Sequence, residues 1–110
     1  MGILGKEITV EEGRKSARLA MLNCLAELEY VLGDLNKVEE IIKITAYVAS
    51  AGGFNEKPPV IEGASTLLLG IFAKKGKHAR SAIGVAELPF GASVEVEVIT
   101  RIKKLKMNYY

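Results

Sequence analysis

From Val10 onward, apolar residues recur as Ala17, Ala20 or Met21, Cys24, Leu28, and Val31 or Leu32. Spacings of three and four place them on one face of a helix. "TVEE" just before this run reads as a capping box, with Thr9 as the cap and Glu12 reaching back to its amide. Gly33 supplies the left-handed end. The opposite face carries Arg14, Lys15, Arg18 and Glu29, as an amphipathic surface helix should.

The pattern changes after the connection "GDLNKVEE". In "IIKITAYVAS", Ile42, Ile44, Ala46 and Val48 alternate with Lys43, Thr45 and Tyr47, the period of a half-buried strand. "AGGFNEKPP" is a loop by its glycines and prolines. Pro59 suits the first turn of a second helix, where its missing N–H is not needed. That helix buries Val60, Ala64, Leu67, Leu68, Ile71 and Phe72, and "KKGKH" ends it.

"HARSAIGVAELPFGASVEVEVI" then reads as two strands joined by a Pro/Gly turn. In the first, Arg80, Ala82, Gly84 and Ala86 share one face, and Ser81, Ile83, Val85 and Glu87 the other. In the second, Val94, Val96, Val98 and Thr100 oppose Glu95, Glu97, Ile99 and Arg101. The order helix, strand, helix, strand, strand, with room for a short strand before Thr9, predicts an α+β sandwich with two helices on one sheet face. A regular turn over Leu88–Ala92 would set Glu87 against Ser93 and Val85 against Glu95. Arg80 would then lie roughly 17 Å from Glu95 along the strand, so a site using both needs a second copy of the chain. The second sheet face still carries Ile83, Val85 and Ile99, which also points to self-association.

Composition narrows the choices. The 110 residues make a single domain, 1–110. Fifteen basic against 13 acidic residues give a net charge of +2, too balanced to call for nucleic acid. The basic end "RIKKLKMNYY" reads as a solvated tail. One cysteine, Cys24, excludes an internal disulfide and a Cys-rich zinc site, and one histidine, His78, gives no metal cluster. Cys24 reads as a small core residue, and His78 as a cation near the end of the second helix. No apolar run approaches the ~20 residues that span a bilayer. The front "MGILGKEITVEE" lacks a signal-peptide layout. A cytoplasmic location is the expectation.

"ARSAIGVAELPFGASVEVE" resembles the C-terminal signature of the YjgF/RidA family, also called the endoribonuclease L-PSP family. It has the arginine, the small-residue strand, the Leu-Pro turn and the alternating Val and Glu. "TVEEGRKSARLAMLNCLAEL", "GDLNKVEEIIKITAYVAS" and "GF" fall where the family has its first helix and following strand, and "GASTLL…HARSAIGV" is similar to one branch of it. The resemblance implies a chorismate-mutase-like α+β domain, here a shortened member without the N-terminal hairpin. It also implies a homotrimer with ligand clefts between subunits. The activity implied is hydrolysis of 2-aminoacrylate-type enamines and imines to 2-keto acids and ammonia, with no cofactor and no metal. By position, Arg80 matches the carboxylate-binding arginine and Glu95 the glutamate that handles water. Ala82 stands where many relatives have a cysteine, so only its backbone N–H remains. Glu62, in "VIEGAS", falls near the family's polar position on the second helix.

The residues suit such chemistry. An arginine pairs a carboxylate through two parallel hydrogen bonds, and a buried glutamate moves protons near neutrality. Ala82 and Gly84 leave backbone N–H groups open beside Arg80. The other reading of Arg80 is an ion pair with Glu87, Glu95 or Glu97 across the sheet. Glu97 reads as the polar half of its strand, and Tyr47 and Tyr109 as packing residues. Two other functions stand beside the deaminase. One is an endoribonuclease, for which Lys103, Lys104 and Lys106 are the best support. The other is a non-catalytic protein that binds small carboxylates.

Overall fold

The computed structural model describes residues 2–6, 8–54 and 57–103. The Thr9 hydroxyl oxygen accepts from the Glu12 amide at 3.1 Å, and Glu12 Oε1 accepts from the Thr9 amide at 3.1 Å. This reciprocal cap starts helix α1, Val10–Leu32, and its hydrogen bonds hold the Glu12 carboxyl below the usual carboxylate range. Gly33, at φ 83°, ends the helix by donating its amide to the Glu29 carbonyl. The buried stripe is Gly13, Ala17, Met21, Leu25 and Leu32, with Cys24 and Leu28 half-buried along its flank. Of the paired alternatives, Met21 and Leu32 are the buried members, and Val31 is 74% exposed.

A single 3-10 turn, Leu35–Lys37, leads into strand β1, Val38–Ala49. The strand begins three residues before the predicted "IIKITAYVAS", inside what the sequence suggested was a connection. Its burial also departs from strict alternation: Val38, Ile41 and Ile44 are buried, then Ala46 and Val48. Register shifts between Val38 and Glu40 and between Ile41 and Lys43 explain this. Each inserts a residue opposite one partner and turns the next side chain over. Ile42, expected inside, is therefore 43% exposed, and Ile41 takes its place.

Helix α2, Lys57–Phe72, buries Val60, Ile61, Gly63, Ala64, Ser65 and Leu68. Leu67 and Phe72 are only half-buried, and Ile71 is exposed. A 3-10 turn, Ala73–Gly76, leads to strand β2, Ala79–Val85, and a second, Pro89–Gly91, leads to strand β3, Val94–Ile102.

The sheet order is β2-β1-β3, with β1 parallel to β2 and antiparallel to β3. The expected hairpin between the last two strands does not form. Strand, helix and strand make a crossover unit whose strands must run parallel, so β2 takes one edge of β1 and leaves the other to β3. Residues 86–93 carry the chain over the end of β1, where Ser50 donates to the Val85 carbonyl and Ala49 to the Ser93 carbonyl. Phe90 and Gly91, with φ of 59° and 67°, turn it. Val85 thus pairs with Ala49 and Glu95 with Tyr47, not with each other.

Register sorts the side chains. Ile44, Ala46 and Val48 share the helix-covered face with Arg80, Ala82 and Gly84 and with Val94, Val96 and Val98. Thr45 and Tyr47 share the open face with Ser81, Ile83, Glu95 and Glu97. Ile83 and Ile99 on the open face are 45% and 53% exposed, as the sequence suggested. Before Thr9, isolated bridges from Leu4 to Ile8 and to Ser50 stand in place of a strand: Leu4, fully buried, donates to the Ala49 carbonyl and accepts from the Ala51 amide. Among the described residues, no helix is long and apolar enough to cross a membrane.

The helices touch closely at Gly63, where an added Cβ would fall inside contact distance of the Arg14 carbonyl. Arg14 Nε fixes the same junction by donating to the Pro59 carbonyl at 3.1 Å. Backbone cannot yield there as a side chain would. Gly63→Ala is therefore expected to destabilise the fold by about 3 kcal/mol, read as a lowered midpoint in urea unfolding. Gly70→Ala, whose Cβ meets nothing within 4 Å, serves as the control.

Candidate functional site

The crossover lays α2 over the parallel pair, so its side chains stand beside the start of β2. Glu62, Ser65 and Leu69 from α2 meet Lys77, His78 and Arg80 around an open cavity of about 430 Å³. Arg80 projects from an edge strand toward the helices, and its Nη1 donates to Glu62 Oε1 at 2.7 Å. The ion pair is thus with α2, not with Glu87, Glu95 or Glu97 across the sheet. Both side chains remain more than a third exposed, 36% for Arg80 and 39% for Glu62. An exposed pair of this kind is worth about 0–1 kcal/mol, so an incoming carboxylate can share or displace it.

His78 is held at both nitrogens. Nδ1 lies 2.5 Å from the Gly76 carbonyl oxygen, and Nε2 lies 2.5 Å from Ser65 Oγ. The histidine read as a helix-end cation does meet a carbonyl there, but it also clasps a serine that is 4% exposed. Ser65, Leu69 and Lys77 are the cavity residues that sequence reasoning missed. The available signal was a lone hydroxyl in the buried stripe of α2, three residues after Glu62.

Ala82 and Gly84 follow Arg80 on the same face but do not line the cavity. Ala82 packs against the core, and the Lys57 side chain lies over Gly84. Because the Val85 carbonyl points to β1, alternation turns the N–H groups of Ala82 and Gly84 to the free edge of β2.

Glu95 is not brought to Arg80. It lies opposite Tyr47 on the open face, whereas Arg80 lies opposite Ile44 on the covered one. Two strand spacings and three residues put them roughly 14 Å apart, with the sheet between them. Glu97 accepts from the Tyr47 hydroxyl at 3.5 Å. That carboxylate, with burial and Glu95 adding, pushes the Tyr47 hydroxyl above its ordinary pKa. Cys24 is half-buried and donates to the Val96 carbonyl; burial, then Glu27, push its thiol up. Lys104, Lys106 and Tyr109 lie outside the described residues.

Residues 1–101 match the family described as "YjgF/chorismate_mutase-like, putative endoribonuclease". The chain belongs to this family. It is 42% identical over 102 residues to "Protein TCP17" of Trypanosoma cruzi, covering 92% of this chain and 64% of that protein. Two solved structures superpose closely. Atu1372 of Agrobacterium tumefaciens, a protein with unknown function, gives a TM-score of 0.92 at 40% identity, over 94% of this chain and 66% of that one. A "putative endoribonuclease" from Shewanella oneidensis gives 0.89 at 32% identity, over 92% and 67%. The chain therefore spans about two thirds of the length of these relatives.

Glu62 Oε1 occupies an Arg80 donor that an approaching acid would need. Glu62→Gln is expected to tighten pyruvate binding up to about fivefold, the scale of an exposed ion pair, as read by isothermal titration. Unchanged or weaker binding would show that Glu62 does not hold the guanidinium back.

Proposed function

We propose that this YjgF-family chain is a RidA-type deaminase that hydrolyses small 2-imino acids to 2-keto acids and ammonia, with Arg80 as the carboxylate anchor. The supporting observation is a guanidinium on the wall of an open cavity, held there by a single exposed carboxylate. Arginine carries five N–H donors in a planar fork, so a substrate carboxylate finds a bidentate partner once Glu62 yields. Lys77 adds a second positive charge at the cavity rim. The N–H groups of Ala82 and Gly84, at the free sheet edge, stand ready for ligand groups extending past Arg80. Such imines hydrolyse readily in water, so positioning contributes much of the catalysis.

The proposed assembly is a homotrimer with the cavity at a subunit boundary. Ile83 and Ile99 give the open sheet face an apolar surface for a second copy. Such a boundary would be needed to bring Glu95 of one subunit near the Arg80 cavity of another, since within one chain the sheet separates them.

A second reading, RNA cleavage, is favoured by the description of the family and of the Shewanella structure. Arg80 and Lys77 are also a reasonable pair for a phosphate. One variant separates the readings. Arg80→Ala is expected to lower kcat/KM for ammonia release from 2-iminopropanoate at least tenfold, as loss of a charged hydrogen-bonding partner does. Ammonia release at the wild-type rate in Arg80→Ala would refute the anchor. RNA cleavage abolished by Arg80→Ala, with no imine turnover in the wild type, would favour the second reading. Saturable pyruvate binding with neither activity would mark a non-catalytic carboxylate binder.

A further inference from the structure

Ser65 and His78 share the Arg80 cavity, and their hydrogen bonds have a direction. The Gly76 carbonyl can only accept, so His78 Nδ1 carries the proton in the neutral ring. Nε2 then offers a lone pair, and the Ser65 hydroxyl donates to it. This is unusual behaviour for a serine inside a helix, which commonly bonds back to a carbonyl one turn earlier. Its neighbour Thr66 does so, donating to the Glu62 carbonyl at 2.8 Å. Ser65 instead donates to a side chain thirteen residues on, while itself lining the cavity beside Arg80. Glu95, the residue the sequence suggests for proton handling, stands on the other face of the sheet.

We propose that Ser65 and His78 form a proton relay for the addition of water to a 2-imino acid anchored by Arg80. This rests on the deaminase reading and assigns it a proton-handling pair within the chain that holds the anchor. The substrate is the iminium form of a small 2-imino acid. Water oxygen bonds to C2, and the C=N π pair moves to nitrogen. The water gives one proton to Ser65 Oγ as the serine proton passes to His78 Nε2, leaving a carbinolamine and an imidazolium. The relay then runs backward and protonates the amino nitrogen. The C–N bond breaks with its electron pair on nitrogen, C2–OH becomes C=O, and the hydroxyl proton joins the departing ammonia. Iminium and water become keto acid and ammonium, with no oxidant or reductant. Ser65 is the catalytic group, and His78 acts through it.

The test measures ammonia release from freshly generated 2-iminopropanoate by wild type, Ser65→Ala, His78→Ala and Glu95→Gln. Both relay variants are expected to lose roughly hundredfold in kcat, the scale of general acid–base catalysis, with KM nearly unchanged. Added imidazole should restore turnover to His78→Ala, which a merely structural histidine would not allow. If His78→Ala fails to fold, Ser65→Ala, a small-for-small change, carries the test through a loss of kcat with KM nearly unchanged. Wild-type turnover in Ser65→Ala and His78→Ala would overturn the relay and leave the deaminase reading standing, as would a loss confined to Glu95→Gln. No turnover by the wild type would overturn both.

Discussion

A strand that leads through a helix to a parallel neighbour must carry the chain back across the sheet, and the helix has to lie over the face it crosses. β1, α2 and β2 obey that constraint, and the candidate site follows from it. Glu62 and Ser65 come from the helix, while His78 and Arg80 come from the segment that enters β2. These residues are 13 to 18 positions apart in the chain, yet they bond directly. The same crossover leaves the far edge of β1 to β3, which places Glu95 on the open face.

The close helix junction supports this arrangement. Gly63 lets α2 approach the backbone of α1, and Ser65 is carried two residues further along the same helix. Any displacement of α2 would move Glu62 relative to Arg80 and Ser65 relative to His78 together. The site therefore inherits its geometry from buried packing, while the charged groups themselves stay partly exposed.

Much of the fold was legible in the sequence because its signals are local. The Thr9 box, the Gly33 cap and the three-and-four spacing of α1 depend on neighbours within a turn or two. The pairing of strands does not. Two alternating runs joined by a short Leu-Pro turn look like a hairpin, and only the intervening α2 indicates that β2 belongs beside β1. The two bulges in β1 were also hidden, since no residue type announces them and they exchange Ile41 for Ile42 on the buried face. Arg80 was recognised from its surroundings in the chain, but its partner was not. Glu62 was placed by resemblance near the right helix, and its contact with Arg80 depends on tertiary packing that spacing alone does not encode. Ser65 escaped because a serine in an apolar stripe looks like a tolerated small residue until its partner is seen.

The central claim is that the Arg80 cavity receives a small carboxylate in place of Glu62. A crystal soaked with pyruvate tests it most directly. The account predicts the ligand carboxylate in two hydrogen bonds to the Arg80 guanidinium, with the Glu62 side chain turned away and the keto carbon facing Ser65. An intact Arg80–Glu62 pair with pyruvate bound elsewhere would contradict it.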